Sequence, residues 1–198
     1  MRHRYTWSTE SWVPWPPALV FAFFANPQNL PLLSPPRQKM RIEEVKIVAP
    51  PPAPATADAM RGFHNVAAGV GSAITLSFRP SRISLKRTTW EARIAEFVWN
   101  QHLCDEQVRG PFAFWQHFHR VKEHAHQGAW GTLIIDQIAY ELPLGPIGSL
   151  AHALFVRRRI EQMFAYRQKR LAEILARTGK VFQKAGAQRF SGLKDRST

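Results

Sequence analysis

Between Asp105 and Tyr140 the chain reads DEQVRGPFAFWQHFHRVKEHAHQGAWGTLIIDQIAY. Trp115, His117 and His119 fall at every second position, and Thr132, Asp136, Ile138 and Tyr140 lie on a second alternating run. Residues two apart on a strand share a face, so each run gathers its polar and aromatic groups on one side of a sheet. Reversal signals at Arg109-Gly110-Pro111 and at 123–130, which contains Gly128, separate three strands, 98–108, 114–122 and 132–142. The turn positions predict that Gln107 pairs with Trp115, Asp105 with His117, His119 with Asp136, and Trp115 with Tyr140. All of these residues then share one face; a slip of one residue would split the set.

The rest of the chain supplies layers for that sheet. Bulky and polar residues mix over 5–13 as in a half-buried strand, and Pro16-Pro17 opens a helix over 18–25 that Asn26-Pro27 closes. A second helical turn is predicted at 28–33, then strands at 40–48, 73–78 and 85–97. Imperfect alternation around Ile42, Val45 and Ile47 points to a bulge, and Trp90, Ala92, Ile94 and Glu96 are placed on one face. Residues 49–60 form a proline-rich loop, read as an extended connection. A long helix is predicted from Ser149, a plausible N-cap, with Leu150, Leu154, Ile160, Phe164, Arg167, Leu171 and Ile174 along one face and Gly179 as its stop. The expected fold class is α+β: a curved antiparallel sheet of six to seven strands wrapped around that helix, with two short helices after the first strand. One domain spans 1–179, and 180–198 is a basic, flexible tail.

Composition narrows the function classes. Lys+Arg number 27 against Asp+Glu 14, a net charge of +13, which favours acidic partners. Arg157-Arg158-Arg159 and Lys169-Arg170 on the long helix point to weak contact with an anionic membrane surface. No helix-turn-helix or RNP-like motif supports specific nucleic-acid binding. Residues 18–25, the most apolar early segment, fall far short of the roughly 20 residues of a membrane-spanning helix. No signal peptide is read at the start, and the single cysteine, Cys104, fits a reducing, cytoplasmic setting. Gly69-x-Gly71 lacks the third glycine of a dinucleotide loop, and no phosphate-binding loop, zinc spacing or nucleophile elbow is present, so no cofactor is assigned.

The run Asp105-x-Gln107-x-x-Gly110-Pro111-Phe112-x-x-Trp115-x-His117-x-His119, followed by Gly131-Thr132-x-x-x-Asp136-x-x-x-Tyr140-x-x-Pro143, resembles bacterial SRPBCC proteins of the cyclase/dehydrase-like or ligand-binding kind. Those proteins have the START-like, or Bet v 1-like, helix-grip fold. The resemblance implies a hydrophobic cavity between sheet and C-terminal helix. Members bind lipids, sterols or polyketides, and some catalyse cyclisation or dehydration. The proline-rich segment at 49–56 and the basic tail depart from the pattern.

Seven Trp and thirteen Phe supply rings for such a cavity. The candidate ligand-binding residues are Trp90, Asp105, Gln107, Phe112, Trp115, His117, His119, Trp130, Asp136, Ile138, Tyr140 and Phe164. The first reading is the binding of a small hydrophobic molecule. The second is an enzyme in which His117, His119 and Asp136 move protons, since a histidine oriented by a carboxylate can act as a general base. The same groups also suit a structural polar patch whose members satisfy one another. A metal set drawn from His117, His119, His124, His126 and Asp136 suits zinc or iron. His124 and His126 are expected in the turn, however, and two histidines do not make a site, so no metal is assigned.

Overall fold

The computed structural model describes residues 3–53, 67–80, 84–143 and 145–194. Seven strands form one antiparallel sheet: β1 (Arg4–Val13), β2 (Arg41–Lys46), β3 (Ala73–Phe78), β4 (Thr88–Val98), β5 (His102–Arg109), β6 (Phe114–His126) and β7 (Ala129–Glu141). Their order across the sheet is β1-β7-β6-β5-β4-β3-β2. After β1 the two prolines open α1 (Pro17–Ala25), which 3-10 turns at Pro27–Leu33 and Pro36–Gln38 follow. A helical run closes the chain: α2 (Gly145–Ala151), a π-helical turn (His152–Val156) and α3 (Arg157–Lys194). This is the expected α+β arrangement, with a curved sheet gripping a long helix. Among the described residues no helix is long and apolar enough to cross a membrane.

The pairing register places the site. Asp105 pairs with His117, His119 with Asp136, and Trp115 with Tyr140, as the turn positions require. Along β7 the even-numbered residues from Thr132 to Tyr140 are buried, and along β6 the odd-numbered ones from Trp115 to Val121. One face of these strands is therefore the inner wall. Gln107 departs from its expected partner. The β5–β6 ladder runs only to Glu106 and Gln116, and the Gln107 amide instead spans the turn, donating to the Phe112 carbonyl at 2.8 Å.

Local irregularities account for the other departures. The strand-pairing shift between Ile42 and Glu44 is the bulge expected in β2. A second shift, between Ile94 and Glu96, reverses the parity of β4. It turns Phe97 into the core and Glu96 out to solvent, where it pairs with His102 at 3.3 Å. β5 begins at His102 and not at 98, because residues 99–101 make the turn that leads into it. β6 runs on to His126, so His124 and His126 are strand residues, and the reversal is the pair Gln127-Gly128. Both have positive φ, 49° and 79°, the backbone that a two-residue hairpin requires.

The helical run starts at Gly145, ahead of Ser149, and α3 continues past Gly179 to Lys194. The π turn adds residues to one helical turn and shifts the phase. Leu150 and Leu154 consequently lie exposed, while Ile160, Phe164, Leu171 and Leu175 face the core. Of the proline-rich loop, 54–60 lies outside the described residues. Its beginning is packed rather than free: Trp99 Nε1 donates to the Pro51 carbonyl at 2.7 Å. Residues 195–198 of the basic tail also lie outside the described residues.

Two apolar clusters flank the wall. α1 is almost wholly apolar and buries Leu19, Val20 and Phe21 against Ile74, Ile94, Phe97, Leu103, Val121 and Ile134. At the other end Ile160 and Phe164 of α3 pack on Trp115, Ile138 and Tyr140. Each fully buried side chain of this size contributes about 1.5–3 kcal/mol. α3 therefore lies over the β7 side of the sheet, and the space over β3 to β6 stays open.

Candidate functional site

That open space is a cavity of about 480 Å³. Its walls come from β3 (Ile74, Leu76, Phe78), β4 (Trp90, Ala92, Ile94), β5 (Leu103, Asp105) and β6 (Trp115, His117, His119). α1 contributes Phe24, and the helical run contributes Ile147, Phe155, Val156, Ile160 and Met163. The lining is apolar except for a polar cluster, Ser34, Gln38 and two arginines, Arg159 and Arg167. Trp90, Phe112 and Trp115 form an aromatic corner with ring centroids 4.8 to 5.7 Å apart, in edge-on or tilted contact.

The polar cluster is a closed ring of four side chains. His117 Nε2 hydrogen-bonds Asp136 Oδ1 at 2.9 Å, and His119 Nδ1 lies 2.8 Å from the same oxygen. The second contact is out of line for a hydrogen bond, which leaves His119 Nδ1 buried with no aligned partner. The remaining nitrogens face Asp105: His117 Nδ1 is 3.5 Å and His119 Nε2 3.6 Å from Asp105 Oδ1. Asp136 thus sits behind the histidines and Asp105 before them. The Asp105 side chain, 20% exposed, meets the cavity; that of Asp136, 7% exposed, does not.

Rings seal the pair. Phe24 stacks on His119 at 5.0 Å, Phe164 meets His117 edge-on at 5.1 Å, and the two imidazoles lie 3.7 Å apart. Burial, together with the neighbouring His119, lowers His117 to about 4. Burial works against His119 too, but the carboxylates of Asp105 and Asp136 outweigh it and raise that histidine above its ordinary value. For both carboxyls burial is likewise outweighed, by the two histidines, and each is held below the usual carboxylate range. The two histidines are therefore pushed in opposite directions by one environment, His117 down by burial and His119 up by the carboxylates. Arg167 supplies further positive potential to Asp105 from α3.

The twelve sequence candidates divide cleanly. Trp90, Asp105, Phe112, Trp115, His117 and His119 line the cavity. Ile138, Tyr140 and Phe164 do not, because α3 rests on this side of the sheet and they form its contact. Tyr140 is also tied up at its hydroxyl, 2.9 Å from His152 Nε2. Asp136 stands behind the wall, and Gln107 serves the turn. Trp130 is 72% exposed. Its parity is right, but it lies beyond Thr132, the last β7 residue paired with β1, where the hairpin projects past the core. His124 and His126, on the same projection, are exposed and away from His117 and His119.

Most of the other lining groups were missed, among them Phe24, Arg159 and Arg167. Phe24 gave only an apolar-helix signal, and Arg159 only a charge run. Arg167 did leave a signal, as the one charged residue in an otherwise apolar helical stripe.

No family model matches the chain, and no curated protein matches its sequence. Solved structures do match. The protein of unknown function SA2116 from Staphylococcus aureus superposes with a TM-score of 0.62 at 8% identity, covering 90% of this chain and 98% of its own. The crystal structure of Ara h 8.0201 gives 0.51 at 14% identity, over 88% and 99%. A Thalictrum norcoclaurine synthase point mutant, in complex with a transition-state analogue, gives 0.53 at 13% identity, over 87% and 97%. The chain has the Bet v 1-like, or START-like, helix-grip fold over most of its length. The likeness at these identities is one of fold.

Asp136→Ala is expected to cost about 3–5 kcal/mol, because it strands buried imidazoles without their carboxylate. Asp105→Ala, at the cavity surface, should cost clearly less. Urea denaturation of both variants measures the difference, and equal losses would contradict the assignment of Asp136 as the buried partner.

Proposed function

We propose that this chain is a binding protein whose single domain, residues 1–179, holds a small hydrophobic molecule, lipid-, sterol- or polyketide-like, between its sheet and its C-terminal helix. The observation that carries this reading is the cavity of about 480 Å³ with an apolar, ring-rich wall. That volume lies in the range of small-molecule sites, and a few convergent polar groups are what such sites use to orient a ligand. Trp90, Phe112, Trp115, His117, His119 and Asp105 are the contacts this reading assigns.

Filling the chamber tests it. Ala92 faces the cavity from the middle of β4. Ala92→Trp is expected to weaken binding of an uncharged environment-sensitive fluorophore at least tenfold and to leave far-UV circular dichroism unchanged. Native mass spectrometry of the wild type should show a co-purifying apolar molecule. A probe that binds both proteins equally would place the binding site elsewhere.

A second reading is proton-transfer catalysis of the cyclase or dehydratase type in the same cavity. It is favoured by one observation: a histidine with a raised pKa and a cavity-facing carboxylate meet at the end of an apolar chamber. Under it, His119→Ala should end turnover of an enolisable polyketide-like substrate while fluorophore affinity stays within a few-fold. Turnover that survives the substitution would remove His119 from the chemistry.

We also propose weak contact with an anionic membrane surface at the cavity mouth. Ile147 and Phe155, which line the cavity, are exposed, as are Leu150 and Leu154 on the same helical run directly before Arg157, Arg158 and Arg159. Apolar groups beside guanidinium groups match a lipid interface with acidic headgroups. Co-sedimentation with vesicles containing phosphatidylserine should exceed that with pure phosphatidylcholine, and Leu154→Glu should abolish the excess. Equal sedimentation with the two vesicle types at low salt would end this proposal.

A further inference from the structure

The distances around Asp105 do not suit hydrogen bonds. His117 Nδ1 and His119 Nε2 stand 3.5 and 3.6 Å from Asp105 Oδ1, beyond the usual N–H···O range. They do suit three donors around one ion. Metal bonds of about 2.0–2.2 Å at tetrahedral angles separate neighbouring donor atoms by roughly 3.4 Å. One donor atom from each of Asp105, His117 and His119 lies within 4.8 Å of the others, so small side-chain rotations close the set.

The far side of the cluster provides the support such a set needs. Metal-bound imidazoles commonly hand their other nitrogen to a carboxylate, which fixes the tautomer and the ring direction. Asp136 Oδ1 is 2.9 Å from His117 Nε2 and 2.8 Å from His119 Nδ1. One buried carboxylate thus backs both rings, with the opposite nitrogen of each turned toward Asp105.

Charge points the same way. Two carboxylates and two imidazoles inside a ring-lined pocket need positive charge, and a dication with two neutral imidazoles brings the cluster to zero. Arg167 on α3 already supplies part of that positive charge. We propose that Asp105, His117 and His119 form a site for one divalent first-row transition ion, backed by Asp136 and opening into the cavity. Two imidazoles and one carboxylate suit zinc, cobalt or iron(II), and three protein donors leave a coordination position for water or a heteroatom of a bound molecule. The occupant of that position rests on the cavity reading; the ion itself does not. Bound there, the ion would use the two imidazoles as ligands and replace their role as proton carriers.

The test uses the full chain, freed of any histidine tag and stripped with chelator. Titration with Co2+, followed by absorption and calorimetry, is expected to saturate at one ion per chain with a tetrahedral or five-coordinate spectrum, and Zn2+ should displace it. Asp105→Asn should weaken affinity at least tenfold, and Asp136→Asn by roughly 10–100-fold through loss of ring orientation. The double variant His124→Ala/His126→Ala should bind like wild type, since those histidines stand apart on the exposed hairpin end. Wild-type protein that takes up no stoichiometric Co2+ or Zn2+ would overturn the proposal, whatever the folding of the variants. So would uptake lost in the His124/His126 variant and kept in Asp105→Asn. The fluorophore measurement is separate, so a metal-free protein that still binds the probe refutes the ion and spares the cavity.

Discussion

The charge on Asp136 is the constraint around which the inner wall is built. A carboxylate that far from water is tolerated only where cations or donors meet it, and leaving it unpaired would cost several kcal/mol. Its partners come from one neighbouring strand. The β6–β7 register sets His119 opposite Asp136, and the period-two alternation of β6 brings His117 to the same face. The β5–β6 register then sets Asp105 in front of both. A slip of one residue in either ladder would bury a carboxylate against apolar groups, so the cluster holds the three strands in register as much as the strands hold the cluster.

Those pairings were legible in the sequence because turns and alternation are local signals. Gly110-Pro111 and Gly128 bracket β6, and counting from them gives Asp105–His117, His119–Asp136 and Trp115–Tyr140. What failed to read were events that insert a residue. The β4 bulge moved Glu96 out and Phe97 in, and the π turn carried Leu150 and Leu154 off the core face of the helix. Neither leaves a composition signal; each changes the phase of a pattern whose period is otherwise correct. Trp130 failed differently, with the right parity at a height where the sheet has no cover.

The division between lining and support was beyond sequence reasoning, because it depends on where the helix rests. Phe164 meets Trp7 at 4.7 Å and packs with Ile138 and Tyr140, which seats α3 on the β1–β7 edge. His152 stacks on Tyr5 at 3.6 Å and reaches the Tyr140 hydroxyl, which ties the π turn to the same edge. Candidates on β7 thereby became foundation, and candidates on β4 to β6, Gln107 apart, became wall. Phe24 and Arg167 entered from elements on the other side of the chamber, joined to the histidines only by the fold.

The seating of the helix also gives the chamber a direction. Ile147, Phe155 and Val156 ring one part of it, while Asp105 and the two histidines form the polar part, walled by Phe24 and Phe164. Under the proposed binding reading, a molecule with one polar end and an apolar body gains most by placing that end against Asp105. A water-excluding wall strengthens each polar contact made there and raises the cost of any left unmade. Selectivity would follow from that asymmetry more than from the apolar surface. A missing methylene in an apolar site costs about 1–3 kcal/mol, whereas a missing heteroatom leaves buried polar groups without a partner and costs considerably more. The ion inferred at Asp105, His117 and His119 would sharpen the same preference, because its open position accepts a lone pair and an alkyl chain has none to offer.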